Sequence, residues 1–245
     1  MRVRMIFAVL LCLILSGCVS GGSEGGGTVE EESVLSIREM ELLQVEDPDS
    51  ENLAGMLQRN GSGIMVQIGA GDRLGSGVIC GVEQDCLVIL TAAHVLAGEE
   101  AIRVTFADGL SVVCDDFTCM EVGDAGLLRV KASDIPEENR ENYLCAVIDR
   151  EIFEKTAAGD GCIVMGSRDG VAAEAYEGVL LDHWIYMEDY GCHMMWVRAE
   201  GKPGMSGGGL FDRQGRLLGI LSGENGQGEV AAVPLSLILA QMGTE

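Results

Sequence analysis

The strongest constraint on the fold is a regular alternation of short apolar clusters with turn residues. From residue 63 onward, clusters of four to seven apolar residues, such as 86–90 and 102–106, are separated by glycine, aspartate and serine. This spacing predicts short β-strands joined by tight turns, and Asp108-Gly109 predicts a hairpin. Aromatic residues make up only 4% of the chain, and glycines number 35. We therefore expect an all-β barrel or sandwich, with helical spacing only over 235–241.

The charge of the chain excludes one class of partner. It carries 39 acidic and 16 basic side chains, a net charge of -23. Nucleic-acid binding depends on clustered lysine and arginine that neutralise phosphates, so we expect no nucleic-acid partner. An anionic lipid surface would also repel this protein. Attachment to a membrane would therefore need a lipid anchor rather than electrostatic attraction.

The N-terminus has the features of an export signal. Arg2 and Arg4 precede an apolar run over 6–15, which is shorter than the roughly 20 apolar residues that cross a bilayer. The following Leu15-Ser16-Gly17-Cys18 resembles the lipobox of bacterial lipoproteins, in which the signal is cleaved before an acylated cysteine. The resemblance implies a signal peptide over 1–17, lipidation of Cys18 and an extracytoplasmic protein anchored to the membrane of a bacterial cell envelope. The alternatives are an ordinary secretion signal and a buried helix.

Residues 18–53 connect this signal to the body of the chain. They are rich in glycine and acidic residues, which predicts a flexible acidic tether and lead-in. Apolar spacing over 34–43 predicts a short helix within it. A second helix is predicted over 53–57, capped by Asp49 or Ser50.

Three short motifs carry the residue types that acyl transfer requires. A serine hydroxyl becomes a nucleophile when an imidazole removes its proton, and the imidazole needs a buried carboxylate that stabilises its charge. Backbone N–H groups must converge on the oxyanion, and glycines permit that close approach. The motifs are Thr91-Ala92-Ala93-His94-Val95, Val122-Gly123-Asp124 before an apolar strand, and Gly204-Met205-Ser206-Gly207-Gly208. They predict Ser206 as nucleophile, His94 as base and Asp124 as its partner, with the Gly204 and Ser206 amides as oxyanion hole.

The order His94, Asp124, Ser206 resembles that of the trypsin-like serine proteases, and most closely the HtrA-type bacterial protease domain. Gly75-Ser76-Gly77-Val78-Ile79 also falls where that domain has a similar stretch. The resemblance covers roughly 54–241 and implies a protease domain over 54–245. It further implies two six-stranded antiparallel β-barrels with a short C-terminal helix, the triad in the cleft between the barrels, and no cofactor or metal. Ser222 matches a family position whose hydroxyl supports the catalytic aspartate.

The chain also departs from its relatives. Relatives that are activated by N-terminal cleavage have an aspartate before the nucleophile, whereas this chain has Met205, so we expect no such activation. HtrA proteins usually continue into a PDZ domain, and the sequence ends at Glu245 without one.

Glu200 lies six residues before Ser206, at the family position that forms the base of the S1 pocket. A carboxylate there would favour arginine or lysine at P1. The alternative is that Glu200 is solvent-exposed, since HtrA relatives usually prefer small or aliphatic P1 residues.

Seven cysteines follow Cys18, an odd number that cannot pair completely within one chain. Cys80 with Cys86 and Cys114 with Cys119 could form bridges, and buried free thiols are the alternative.

These observations predict a serine endopeptidase that cleaves extracytoplasmic protein or peptide substrates through an acyl-enzyme. The resemblance suggests quality control of envelope proteins. The alternative function is a catalytically silent, surface-displayed binding module on a protease fold. The oligomeric state is not predicted.

Overall fold

The computed structural model describes residues 35, 37–44, 52–98, 101–167 and 172–243. The signal over 1–17, Cys18 and the tether as far as residue 34 lie outside these residues. The export signal and the lipid anchor therefore stay predictions. None of the helices in the described part of the chain is long and apolar enough to cross a membrane.

The first half of the chain is dominated by short strands. Its strands are β1 (Arg38–Glu39), β2 (Met65–Ala70), β3 (Arg73–Glu83), β4 (Cys86–Thr91), β5 (Ile102–Phe106), β6 (Ser111–Cys114), β7 (Phe117–Cys119), β8 (Gly126–Lys131) and β9 (Leu144–Cys145). Its helices are α1 (Leu53–Asn60), α2 (Ala93–Leu96) and α3 (Glu137–Arg140).

Seven of these strands form one antiparallel sheet in the order β6-β5-β2-β3-β4-β8-β7. The sheet curls so that β6 approaches β8, where the Cys114 thiol at the end of β6 donates to the Arg129 carbonyl at 3.3 Å. Phe106 is fully buried inside this half and stacks on Tyr143 with ring centroids 4.3 Å apart. Few aromatic residues are therefore enough, because aliphatic side chains from both ends of the sheet fill the rest of the core.

The second half contains α4 (Ile152–Lys155), β10 (Gly161–Gly166), β11 (Glu174–Met187), β12 (Cys192–Ala199), β13 (Gly209–Asp212), β14 (Leu217–Glu224), β15 (Glu229–Pro234) and α5 (Leu235–Gln241). Its six strands form a closed barrel in the order β10-β11-β12-β15-β14-β13, and β13 pairs back onto β10. The predicted all-β class, the six-stranded second barrel and the C-terminal helix are confirmed. The first half differs from the expected closed six-stranded barrel, since its seven strands form a curled half-barrel that does not close.

The segment predicted as a helix over 34–43 is not helical in its described residues, 35 and 37–43. Its β1 pairs in parallel with β9, and two backbone N–H groups continue the attachment, Met40 to the Cys145 carbonyl and Leu43 to the Gln214 carbonyl, both at 2.9 Å. Leu35, Met40 and Leu43 are buried. Their spacing reflects packing against the rest of the molecule rather than a helical face, so the packed part of the chain begins before residue 54.

The second predicted helix is present as α1. Its N-cap is Asn52, whose side-chain oxygen accepts from the Gly55 N–H at 2.8 Å, and not Asp49 or Ser50.

All seven cysteines in the described residues are free thiols. Burial raises the pKa of Cys80 and of Cys162 to about 12, so these two thiols stay protonated at neutral pH. Cys119 is the only exposed one of the seven.

Candidate active site

The pairing of β4 with β8 brings His94 and Asp124 together. Thr91, at the end of β4, lies opposite Gly126 at the start of β8. His94 follows Thr91 in α2, and Asp124 precedes Gly126 in the turn before β8. Adjacent antiparallel strands bring the residues that leave one strand close to those that enter the next. Two motifs 30 residues apart therefore meet at one edge of the sheet.

Asp124 receives hydrogen bonds from three donors. Nδ1 of His94 lies 2.6 Å from Oδ2 of Asp124, and the backbone N–H of His94 donates to Oδ1 at 2.8 Å. The Ser222 hydroxyl also donates to Oδ2. Burial alone would raise the pKa of Asp124, but the hydrogen bonds from His94 and Ser222 outweigh it and lower the pKa below its ordinary value of 3.8. The carboxylate is therefore ionised at neutral pH and holds the His94 ring in one orientation.

Ser206 lies in the loop between β12 and β13. The turn 202–205 is closed by the Met205 N–H, which donates to the Lys202 carbonyl at 3.0 Å, and Gly204 has a φ of +93°. Proline at the second position and a positive φ at the third are features of a type II β-turn. Among the described residues, no group accepts a hydrogen bond from the N–H of Gly204 or of Ser206. Both amides are available to bind an anion.

The Ser206 hydroxyl donates to the Ser222 carbonyl at 3.0 Å. Within the described part of the chain, Ser206 and His94 share no hydrogen bond. Such bonds between nucleophile and base are often long or poorly aligned until substrate is bound. The structure thus joins four of the sequence-predicted residues, His94, Asp124, Ser222 and Ser206, in one hydrogen-bonded set that lacks only the link from Ser206 to His94.

A small cavity of about 30 Å³ opens beside Ser206. Its walls are mostly apolar, with one basic and one acidic side chain among them. The lining residues are Val164, Gly201, Lys202, Met205, Ser206, Leu221, Ser222, Gly223, Glu224 and Val230.

Glu200 does not line this cavity. Its side chain is 61% exposed and lies 3.4 Å from the Lys202 ammonium, so the structure supports the exposed alternative rather than a charged S1 base. Sequence reasoning missed Lys202 and Glu224, although each lies within four residues of a predicted site residue. Val164 had no such signal, because only the pairing of β10 with β13, which sets Val164 opposite Leu210, brings it to the site.

Known proteins share both the sequence pattern and the fold. Residues 75–220 match the family model of the trypsin-like peptidase domain. HtrA-like serine proteases of Staphylococcus aureus, strains bovine RF122 / ET3-1 and USA300, are 26% identical over 165 and 162 residues, which cover 62% of this chain. The match spans only 20% of the length of those proteins.

Solved structures show the same architecture. The HtrA-type protease AlgW with tripeptide superposes with a TM-score of 0.64 at 24% identity, covering 80% of this chain and 64% of that chain. Deg5 superposes with a TM-score of 0.63 at 20% identity, covering 80% and 94%. These likenesses concern the fold.

The closed barrel and the curled sheet define a protein of the two-barrel β class, with the His-Asp pair at one end of the curled sheet. The family model matches more than half of the residues, and the chain belongs to the trypsin-like peptidase family. Its similarity to HtrA-type proteases, predicted from the three motifs, is confirmed.

Proposed function

We propose that this protein is a serine endopeptidase that hydrolyses peptide bonds through an acyl-enzyme. The observation that carries the proposal is the contact between the Asp124 carboxylate and Nδ1 of His94 at 2.6 Å. It keeps the proton of the neutral ring on Nδ1, which leaves Nε2 free to accept a proton. The Ser206 loop lies in the same hydrogen-bonded set, and its Gly204 and Ser206 amides have no acceptor among the described residues.

In this mechanism the Ser206 hydroxyl turns from the Ser222 carbonyl to Nε2 of His94 and loses its proton as Oγ attacks the substrate carbonyl carbon. The N–H groups of Gly204 and Ser206 bind the oxyanion. His94 then gives the proton to the leaving amine, and a water molecule releases the acyl group by the same route. Asp124 stabilises the imidazolium in both steps. Each step uses only residues of this chain and water.

For the P1 side chain we propose a small apolar group, in place of the arginine or lysine expected from Glu200. The cavity beside Ser206 holds about 30 Å³, and Val164, Leu221 and Val230 form its apolar walls. Lys202 and Glu224 also line it, with opposite charges, so the lining has no net charge that would select a basic side chain. An apolar pocket discriminates by size at a modest level and disfavours an unpaired charge. A peptide library tests this: cleavage after valine or alanine is expected, and a dominant cleavage after arginine or lysine would contradict it.

We also propose that the protein is anchored outside the cytoplasm by lipid on Cys18 and acts on damaged or unfolded envelope proteins. The support is the signal-like order of residues 2–18 and the similarity to HtrA-type proteases. Fractionation of cells that express the wild type and Cys18→Ala tests the anchor. The wild type is expected with the membranes and the variant in the aqueous fraction, and equal distributions would contradict lipid anchoring.

A binding module without catalytic activity is the second candidate function. The observation in its favour is that the Ser206 hydroxyl donates its proton to the Ser222 carbonyl, and no hydrogen bond to His94 is present among the described residues. A fluorophosphonate probe separates the two, because it reacts only with an activated serine. We expect labelling of the full chain and none of Ser206→Ala. A folded wild type that is not labelled would support the binding module.

A further inference from the structure

A buried serine from the first half of the molecule contacts the nucleophile loop of the second half. Ser76 lies on β3 and is fully buried. Its hydroxyl donates to the Gly204 carbonyl at 2.7 Å, and its backbone N–H donates to the Ser206 carbonyl at 2.7 Å. Gly204 and Ser206 carry the two proposed oxyanion-binding amides, and Ser76 holds the carbonyl of each of them.

The direction of the Ser76 hydroxyl is determined by its other partner. The backbone N–H of Ser167 donates to Oγ of Ser76 at 2.8 Å. Because this N–H occupies an acceptor position on the oxygen, the hydroxyl proton is directed to the Gly204 carbonyl. The Ser76 carbonyl in turn accepts from the buried hydroxyl of Thr91 at 2.6 Å. The hydroxyl, the backbone N–H and the carbonyl of Ser76 each have a hydrogen-bond partner that fixes their direction.

The conformation of the loop determines where the Gly204 amide points. Type I and type II β-turns differ by a flip of the central peptide, which here joins Pro203 to Gly204 and carries the Gly204 N–H. The Pro203-Gly204 sequence favours type II, but glycine adopts either conformation at little cost, so the turn sequence alone does not lock this peptide. The hydrogen bond from Ser76 holds the next peptide, between Gly204 and Met205, and so restricts rotation at Gly204 from the C-terminal side.

β3 is packed closely against the loop and against the end of β10. A Cβ on Gly207 would lie 2.1 Å from the Ser76 carbonyl oxygen, and one on Gly166 would lie 2.9 Å from the Ser76 hydroxyl. A Cβ on Gly75 would lie 2.9 Å from the Ser206 carbonyl oxygen. The backbones of the strand and the loop are in direct contact, so a shift of Ser76 would also shift the loop.

We propose that Ser76 is a positioning residue for the oxyanion-binding amides of Gly204 and Ser206. The proposal rests on the proposed function, since it concerns the same reaction. Ser76 acts on the reaction through the loop and does not itself contact substrate. Its hydroxyl is expected to matter for the rate of the chemical step and not for the binding of a ligand beside Ser206.

The test is the kinetics of fluorophosphonate labelling of the full chain, because the phosphonyl oxygen of the probe occupies the oxyanion position. Ser76→Ala is expected to lower the maximal labelling rate about 10- to 100-fold, with an unchanged inhibition constant. This loss is no larger than the loss of rate expected when one oxyanion-hole donor is removed. Ser76→Cys keeps a weaker donor and is expected to fall between Ala and the wild type. Thr156→Val is the matched control, because it removes another buried hydroxyl, which donates to the Ile152 carbonyl at 2.8 Å outside the loop.

The control is expected to label at close to the wild-type rate even where its melting temperature falls. The low-field proton resonance of the His94 Nδ1–H is expected to be the same in the wild type and Ser76→Ala, since the pair with Asp124 is not altered. Equal labelling rates for the wild type and Ser76→Ala would overturn the positioning role alone, as would an equal loss in Thr156→Val. If Ser76→Ala does not fold, Ser76→Cys at the wild-type rate overturns it. A folded wild type that is not labelled would overturn the proposed function, and the positioning role with it.

Discussion

Replacement of Asp124 by asparagine tests the site at the point where the structure is most specific. Three donors converge on this side chain: the backbone N–H and Nδ1–H of His94, and the hydroxyl of Ser222. A carboxylate accepts all three, whereas an amide has one acceptor oxygen and one donor group. If the side-chain oxygen of the introduced asparagine kept the bond to the His94 backbone, its NH₂ group would face Nδ1. The ring would then carry its proton on Nε2, where it cannot accept the proton of Ser206.

The expected loss follows from this change of tautomer. The same substitution in a trypsin-like triad lowers kcat about 10⁴-fold, which corresponds to about 5 kcal/mol of transition-state stabilisation. We expect a loss of this size in the hydrolysis of a fluorogenic peptide with valine at P1, with little change in KM. Circular dichroism and the melting temperature check that Asp124→Asn is folded. A folded Asp124→Asn with activity within tenfold of the wild type would refute the assignment of His94 as the base.

The same substitution has a consequence for stability against pH. Because the pKa of Asp124 lies below its ordinary value of 3.8 in the folded protein, the ionised carboxylate contributes stability that is complete above that pH. The contribution is lost as the pH falls through the folded-state pKa. Urea unfolding of the wild type and Asp124→Asn is expected to show a difference in unfolding free energy that narrows below pH 3.8. A difference that stays constant down to pH 2 would contradict the hydrogen-bonded, ionised carboxylate.

Three further predictions concern packing and accessibility. In urea unfolding, Gly207→Ala is expected to lower the unfolding free energy by at least about 3 kcal/mol, because φ is +86° and the new Cβ would lie 2.1 Å from a carbonyl oxygen. The control Gly226→Ala, where φ is +71° and the space is open, is expected to lower it by about 1 kcal/mol. Leu43 is 3% exposed, and Leu43→Ala is expected to lower the unfolding free energy by about 2–5 kcal/mol. Leu42 is 38% exposed, and Leu42→Ala is expected to lower it by less than about 0.5 kcal/mol. Equal losses would show that 37–44 does not pack as described. In a chain with Cys12 and Cys18 replaced by serine, Ellman's reagent is expected to modify Cys119 first of the seven described cysteines. A fast phase that persists when Cys119→Ser is added would contradict this.

Sequence reasoning reached the family and the fold class from short segments that carry their own information. The motif around His94 and the glycine-rich turn at Ser206 have few alternative interpretations, because each combines a reactive side chain with backbone requirements that few residues meet. Strand positions were also accessible, since alternation of apolar and turn residues is a local signal. Family and fold class followed from these two kinds of pattern.

It failed where long-range packing overrides local preference. The apolar spacing of 34–43 is compatible with a helix, but the burial of Met40 and Leu43 against distant residues favours an extended segment paired with β9. Glu200 was placed by its distance along the chain from Ser206, and the structure turns it to the surface beside Lys202. Counting residues does not determine side-chain direction in a loop.

By itself, the sequence determined the family and the all-β class. It also predicted which residues can do chemistry: a serine in a turn that brings backbone amides close, a histidine after a buried strand, and an acidic residue before another strand. Only the tertiary structure decided how they are connected. The register of β4 against β8 joins His94 to Asp124, and the contact of Ser76 with the loop joins the two halves. Hydrogen bonds between residues 30 to 128 positions apart depend on the packing of the whole chain, which no local pattern encodes.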